Sequence, residues 1–256
     1  MSDLKDSWLK RGLSVPEKQP PVIIAILLLL VLLTAAAYIL LTPPDQPVVN
    51  IISEVAITDR CVAITFDDGP DPVYTPMMLD LLEENQVKAT FFLIGLHSEW
   101  YPELVKRINK EGHEIGNHSY YHKNYSIKSP GYVAGDMQRT NELLTKITGV
   151  RPCLLRPPFG RYNDKTVEIA KEQQLQVVCW SINSLDWQRP AAYVMERQVR
   201  RHLGPGQIIL FHDGGGRRKE TVRAVANFIK TAQDEGYRFL TVSEMIKYQN
   251  SSSSNH

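Results

Sequence analysis

The sequence predicts an α/β fold, a distorted (β/α) barrel of about seven parallel strands preceded by one N-terminal transmembrane helix. Three observations carry that expectation. From Arg60 onward, short β-branched or apolar runs alternate with longer helical patterns, as strand–helix units of a parallel sheet do. That region, about 190 residues, is too short for the usual eightfold barrel of about 250 and fits an open or irregular barrel of fewer strands. Ahead of it, the run from Pro21 to Leu41 carries no charge, and about 20 apolar residues cross a bilayer as helix.

Taken in order, residues 1–21 read as a cytoplasmic segment, 22–41 as the anchor, 42–59 as a linker, 60–248 as the globular domain and 249–256 as a disordered tail. Lys5, Lys10, Arg11 and Lys18 precede the apolar run, and 42–59 contains no Lys or Arg. The positive-inside rule then places the N-terminus in the cytoplasm and the domain outside, as in a single-pass protein of the cell membrane. A cleaved secretory signal is the alternative, because Ala35, Ala36 and Ala37 offer a small-residue cleavage site; the protein is then secreted. A buried core helix is disfavoured, since no polar face interrupts the run and prolines (Pro16, Pro20, Pro21; Pro43, Pro44, Pro47) flank it.

Candidate strands are Cys61–Phe66, Lys88–Ile94, His113–Gly116, Cys153–Leu155, Leu175–Trp180, Gln207–Phe211 and Tyr237–Thr241. Between them a helix is expected over Pro76–Asn85, with Thr75 as N-cap and Pro76 at the first helical position. Another is expected over Thr221–Asp234, leaving through Gly236. No internal repeat is visible, and Ser251–His256 is low in complexity.

Charge narrows the choice of partner. Lys and Arg number 29 against 28 Asp and Glu, so the long-range cationic field of a nucleic-acid binder is absent. Charged residues at 22% beside 43% hydrophobic ones exclude wholesale disorder. Removing the four basic and three acidic residues of the first 21 leaves 25 of each, so recognition must come from a site. Cys61, Cys153 and Cys179 are odd in number, so at least one has no intrachain partner. They read as small buried hydrophobes.

Active sites of parallel α/β folds form at the carboxyl ends of strands, and five of the expected strands end in chemistry. They run into Thr65-Phe66-Asp67-Asp68-Gly69-Pro70, Asn117-His118-Ser119-Tyr120-Tyr121-His122, Arg156-Pro157-Pro158-Phe159-Gly160, Asn183-Ser184-Leu185-Asp186-Trp187 and His212-Asp213. Adjacent carboxylates repel unless a cation shares the site, and His118 and His122 can present two imidazoles to one ion. One Asp and two His make a three-ligand divalent site with a coordination position left open, as in catalytic metal centres. A solvated turn with two surface histidines is the competing reading.

These motifs resemble those of the polysaccharide deacetylases with a NodB-type homology domain, metal-dependent carbohydrate esterases, over about Arg60 to Lys247. Thr65–Pro70 resembles the first motif, His118–His122 the His-Ser/Thr-x-x-His motif, and Arg156–Gly160 the Arg-x-Pro-Tyr/Phe-Gly stretch. Asp186-Trp187 resembles the fourth motif and Leu210-Phe211-His212 the fifth. The resemblance implies Asp67 as general base and Asp68, His118 and His122 as metal ligands, with His212 as general acid. Arg156 would hold the base, Asp186 would orient Arg156, and the Phe159 backbone N–H would help stabilise the oxyanion. Trp187 and Leu210 would wall the acetyl pocket. The implied cofactor is a divalent metal, with zinc expected and cobalt or another transition metal able to replace it.

Asn183 departs from the pattern, standing where many members have an Asp and removing one potential negative charge. His97, His113 and His202 lie outside the motifs and read as structural or surface residues. Arg217-Arg218-Lys219 reads as a solvated helix start that could touch an anionic wall polymer. The resulting expectation is a membrane-anchored hydrolase that releases acetate from an amino-sugar polymer outside the cell. Its expected substrate is N-acetylglucosamine or N-acetylmuramic acid of peptidoglycan. A chitooligosaccharide deacetylase and a non-catalytic wall-binding protein are the alternatives. No nucleic-acid partner is expected, and the oligomeric state is not legible.

Overall fold

The computed structural model describes residues 25–34 and 51–253 of the 256-residue chain, which divides into two compact units, Met1–Val48 and Val49–His256. In the first unit, residues 25–34 form helix α1 with its apolar side chains exposed. The rest of the expected anchor, and the expected cytoplasmic segment, lie outside the described residues. Among the described residues no helix is long and apolar enough to cross a membrane.

The second unit is a half-barrel of parallel strands. Its strands are β1 (Cys61–Asp67), β2 (Thr90–Leu93), β3 (Glu114–Asn117), β4 (Leu154–Leu155), β5 (Gln176–Val177), β6 (Ile182–Asn183), β7 (Ile208–His212) and β8 (Arg238–Phe239). They run in the order β5-β4-β3-β2-β1-β7-β6, with β8 also pairing β1. Strand β1 is buried at every residue, as a central parallel strand covered on both faces must be. The period of two sorts its side chains. Val62, Ile64 and Phe66 join Phe91 and Phe211 in the core under the helices, while Thr65 and Asp67 project to the opposite, polar face, where both meet Arg156.

Helices α2 (Tyr74–Glu84), α3 (Gly95–Trp100), α4 (Pro102–Lys110), α5 (Pro130–Thr148), α6 (Asp164–Glu172), α7 (Ala192–Arg201), α8 (Lys219–Asp234) and α9 (Val242–Ser253) cover the sheet. Met78 and Leu82 of α2, Val105 of α4, Val199 of α7 and Phe228 of α8 close the core over Phe66. Burying each such side chain stabilises by about 1.5–3 kcal/mol. Helix α8 ends at the expected Asp234 and starts two residues before the expected Thr221, and Gly236 follows it with the left-handed φ of 81° that a helix exit favours.

Four details differ from the sequence expectation. The half-barrel path has seven strands as expected, but one of them is not the expected one: the run Leu175–Trp180 leaves the sheet after Val177 and the chain re-enters as β6 on the opposite edge, while the expected strand Tyr237–Thr241 is the short β8 beside β1. The expected linker 42–59 is partly sheet: Ile52 bridges Val178, Glu54 bridges Gln207, and Val55 is buried. That segment links the end of β5 to the start of β7, so the folded unit begins before residue 60. The expected tail 249–256 is helical as far as Ser253, with α9 launched by reciprocal bonds between Thr241 and Glu244. Thr75 lies inside α2 instead of capping it. Asp71 Oδ1 accepts from the backbone N–H groups of Val73 and Tyr74, while the Thr75 hydroxyl donates to Asp213.

Candidate active site

The carboxyl ends of β1, β3, β4, β6 and β7 surround one cavity of about 660 Å³, lined among others by Asp67, Asp68, His118, His122, Phe159, Asn183, Trp187, Leu210, His212 and Arg218. Nearly all the expected site residues thus meet. Arg156 and Asp186 sit directly behind, fully buried.

Asp68, His118 and His122 bring one donor atom each to within 4.8 Å of the others. Asp68 and His122 hold left-handed backbone angles, φ 72° and 51°, which turn both into the site at some conformational cost. The His118 Nδ1–H donates to the main-chain oxygen of Arg156 at 2.7 Å. Nε2 is left towards Asp68 Oδ1, 3.5 Å away, while His122 Nε2 stands 3.1 Å from the same oxygen. Asp68 Oδ1 is buried without a hydrogen-bond partner among the described residues. Burial opposes the charge of this carboxyl, yet the facing His118 and His122 imidazoles hold it well below the usual carboxylate range. An orphaned carboxylate oxygen facing two imidazole nitrogens fits a divalent cation bound by one oxygen and two nitrogens.

Asp67 is 3% exposed and accepts from Arg156 Nη1 at 2.8 Å. Arg156 is locked in turn: Nη1 also donates to Thr65 Oγ1 at 2.7 Å, Nη2 donates to the Cys179 carbonyl at 2.8 Å, and the guanidinium lies 4.0 Å above the Phe92 ring. A buried carboxylate beside a guanidinium held on all three nitrogens is an oriented proton acceptor.

Asp186 does not orient Arg156 as expected. Its Oδ1 accepts from His212 Nδ1 at 2.7 Å, and its Oδ2 from the His212 backbone N–H at 2.8 Å. The geometric reason is position: Asp186 follows β6 and His212 ends β7, which are neighbours, whereas Arg156 follows β4 on the far side of the sheet. Burial pushes the His212 imidazole towards neutrality, but the Asp186 bond and charge, with Asp67 and Asp68, raise its pKa above the ordinary value.

At the mouth, Phe159 takes a left-handed φ of 62°, and its ring meets His122 edge-on at 4.5 Å. Trp187 is exposed and Leu210 buried in the same wall. Asn183 Oδ1 accepts from the Leu185 N–H at 2.9 Å, a turn contact an Asp would make equally well.

Several residues that the sequence reading set aside belong to the site's support. His97 Nδ1–H donates to the Asp68 carbonyl at 2.9 Å. Arg218, read as part of a solvated helix start, is 3% exposed and lines the cavity. Asp136 accepts from the Tyr120 N–H at 2.7 Å and so braces the loop between the two histidines. None carries a local motif; each is recognisable only from its partner in the fold. His113 is buried and His202 exposed, both away from the cavity. Cys61 is buried as expected, but Cys153 is exposed and Cys179 half-buried, and all three are free thiols.

The polysaccharide deacetylase family profile matches residues 55–178. A peptidoglycan-N-acetylglucosamine deacetylase of Bacillus cereus is 41% identical over 206 residues, 80% of this chain and 96% of the relative. The chain belongs to the polysaccharide deacetylase family. Among solved structures, the Bc1960 peptidoglycan N-acetylglucosamine deacetylase superimposes with a TM-score of 0.75 at 36% identity, over 77% of this chain and 92% of that one. A family 4 acetyl xylan esterase from Clostridium thermocellum, solved with a cobalt ion, gives 0.68 at 31% identity, over 73% and 91%. This polysaccharide deacetylase is a hydrolase that cleaves N-acetyl groups.

Proposed function

We propose that this deacetylase removes acetyl groups from N-acetylglucosamine residues of peptidoglycan, outside the cell and in a metal-dependent way. The observation that carries the reading is the pairing, in one cavity, of an Arg156-held Asp67 with an Asp186-held His212 around the Asp68–His118–His122 triad. The substrate follows from the relative at 41% identity, which bears that activity in its name. Zinc is the proposed ion, and cobalt is the proposed substitute because it occupies a solved relative. The proposed location rests on the uncharged run Pro21–Leu41 behind a basic flank, which suits a single membrane anchor facing the wall.

Held by the triad, a divalent cation supplies Lewis acidity towards the acetyl carbonyl and makes water easier to deprotonate. Asp67 takes the proton from the attacking water, its second oxygen fixed by Arg156 so that the first faces the cavity. The Phe159 N–H is the proposed donor to the oxyanion. His212, whose protonated form Asp186 favours, gives a proton to the departing amine. Trp187 and Leu210 wall the acetyl group. Acetate and a free glucosamine amine are the products.

The test is acetate release by the zinc-loaded full chain from peptidoglycan and from chitotetraose. A higher kcat/KM on peptidoglycan is expected. Preference for chitotetraose would replace the substrate assignment with a chitooligosaccharide deacetylase, and binding to peptidoglycan without acetate release from either would favour a wall-binding protein.

A further inference from the structure

Arg218 has no role in the reading so far, yet its buried guanidinium lines the cavity. Its Nε donates to the Gly214 carbonyl at 2.6 Å and its Nη1 to the main-chain oxygen of Asp186 at 3.0 Å, with Nη1 also 3.9 Å from Asp186 Oδ2. Asp186 stands in a short turn flanked by left-handed Leu185 and Arg189, φ 61° and 57°. Such a turn is strained for non-glycine residues and needs outside support. The glycine run it is tied to is equally confined: a Cβ on Gly214 would stand 2.2 Å from the Asp68 carbonyl, and one on Gly215 would stand 2.9 Å from Asp68 Oδ2 and 3.2 Å from Arg218 Nη2. Arg218 therefore bridges the segment that carries the acid's partner and the segment that packs on the metal-ligating loop.

We propose that Arg218 is a positioning residue for the proton donor: by fixing Asp186 against the glycine run, it sets where His212 stands relative to the scissile amide. This rests on the deacetylase mechanism above. In that reaction, water's hydroxyl adds to the acetyl carbon and its proton goes to Asp67. The C–N bond then breaks, and its electron pair stays on nitrogen, which takes the proton of His212. An aryl ester needs only the first half, because 4-nitrophenolate leaves without a proton. Damage confined to the donor therefore separates amide from ester hydrolysis, whereas damage to the base, the metal ligands or the fold lowers both.

The experiment compares kcat/KM on chitotetraose and on 4-nitrophenyl acetate for the zinc-loaded full chain, its Arg218→Met and Arg218→Lys variants, and His212→Asn as reference. The amide-to-ester ratio is expected to fall roughly thirtyfold in Arg218→Met, part of the 10²–10⁴ that a general acid supplies, to recover in part in Arg218→Lys, and to fall further in His212→Asn. Equal losses on both substrates, or no loss, overturn the proposal. If Arg218→Met does not fold, Arg218→Lys decides alone, since an unchanged ratio there contradicts a role through the fork geometry that lysine lacks. A parent protein that cleaves the ester but no N-acetylated sugar refutes the amide reading itself, which is a separate result.

Discussion

The His118 imidazole and the Arg156 carbonyl are joined by a 2.7 Å hydrogen bond, and Arg156 in turn grips Asp67 at 2.8 Å. One residue thereby orients both a proposed metal ligand and the proposed base, the first through its main chain and the second through its side chain. A carbonyl can only accept, so the bond fixes the proton on Nδ1 and leaves His118 Nε2 for the cation. The proposed ligand set and acid–base pair share that support but use different side chains, so each can be removed alone by substituting its own residues.

Asp67→Asn keeps the shape of the base and removes its basicity. Acetate release is expected to fall by about 10²-fold or more, while metal content measured by atomic absorption stays at the parent value. Release at the parent rate would remove Asp67 as the base.

Asp186→Asn removes the charge that most raises the His212 pKa. The active donor is the protonated imidazole, so activity is lost as pH rises through that pKa. A lowered pKa must move the alkaline limb of the kcat profile to lower pH. A limb that stays in place in Asp186→Asn would show that another group limits the reaction there.

His113 supplies a prediction about stability. It is 5% exposed, its Nδ1 accepts from the Ala89 N–H at 3.2 Å, and burial, with Lys88 and Arg107 nearby, pushes its pKa down to about 4. Glu111 faces it at 3.9 Å. Folded protein keeps the ring neutral while the unfolded chain protonates near 6.5, so this contribution is present above pH 6.5 and is lost as pH falls towards 4. The loss is on the order of 3 kcal/mol. His113→Asn retains an acceptor and removes the titration. Urea unfolding of the variant at pH 4 to 7 should show a pH dependence smaller by about that amount, and parallel curves for both proteins would contradict it.

The parts of the site legible in the sequence were those written as short strings at strand ends. Asp67-Asp68, His118, Arg156 and His212 each end a strand or follow it within a residue, and His122 is tied to His118 by their four-residue spacing, so period and motif placed them together. What remained hidden depends on long-range partners. The basic triplet holding Arg218 looks solvated until the fold brings Asp186, 32 residues away, under its guanidinium. Thr75 resembles a cap until Asp213, 138 residues on, takes its hydroxyl. His97 looks like a surface histidine until it meets the Asp68 carbonyl, 29 residues back. Strand β6 has two residues, too few for any alternation to register, and its absence from the expected set also concealed that Asp186 and His212 are neighbours.

The most direct test of the account is the dependence of acetate release on a metal held by Asp68, His118 and His122. The full chain, stripped by a chelator, is titrated with zinc while bound metal and acetate release from an N-acetylglucosamine oligomer are followed together. Release is expected to vanish on chelation and to return in step with one bound zinc per chain, with Asp68→Ala and His118→Ala failing to recover either quantity. Release that persists after complete chelation, or full zinc binding and activity in those variants, would contradict the proposed centre.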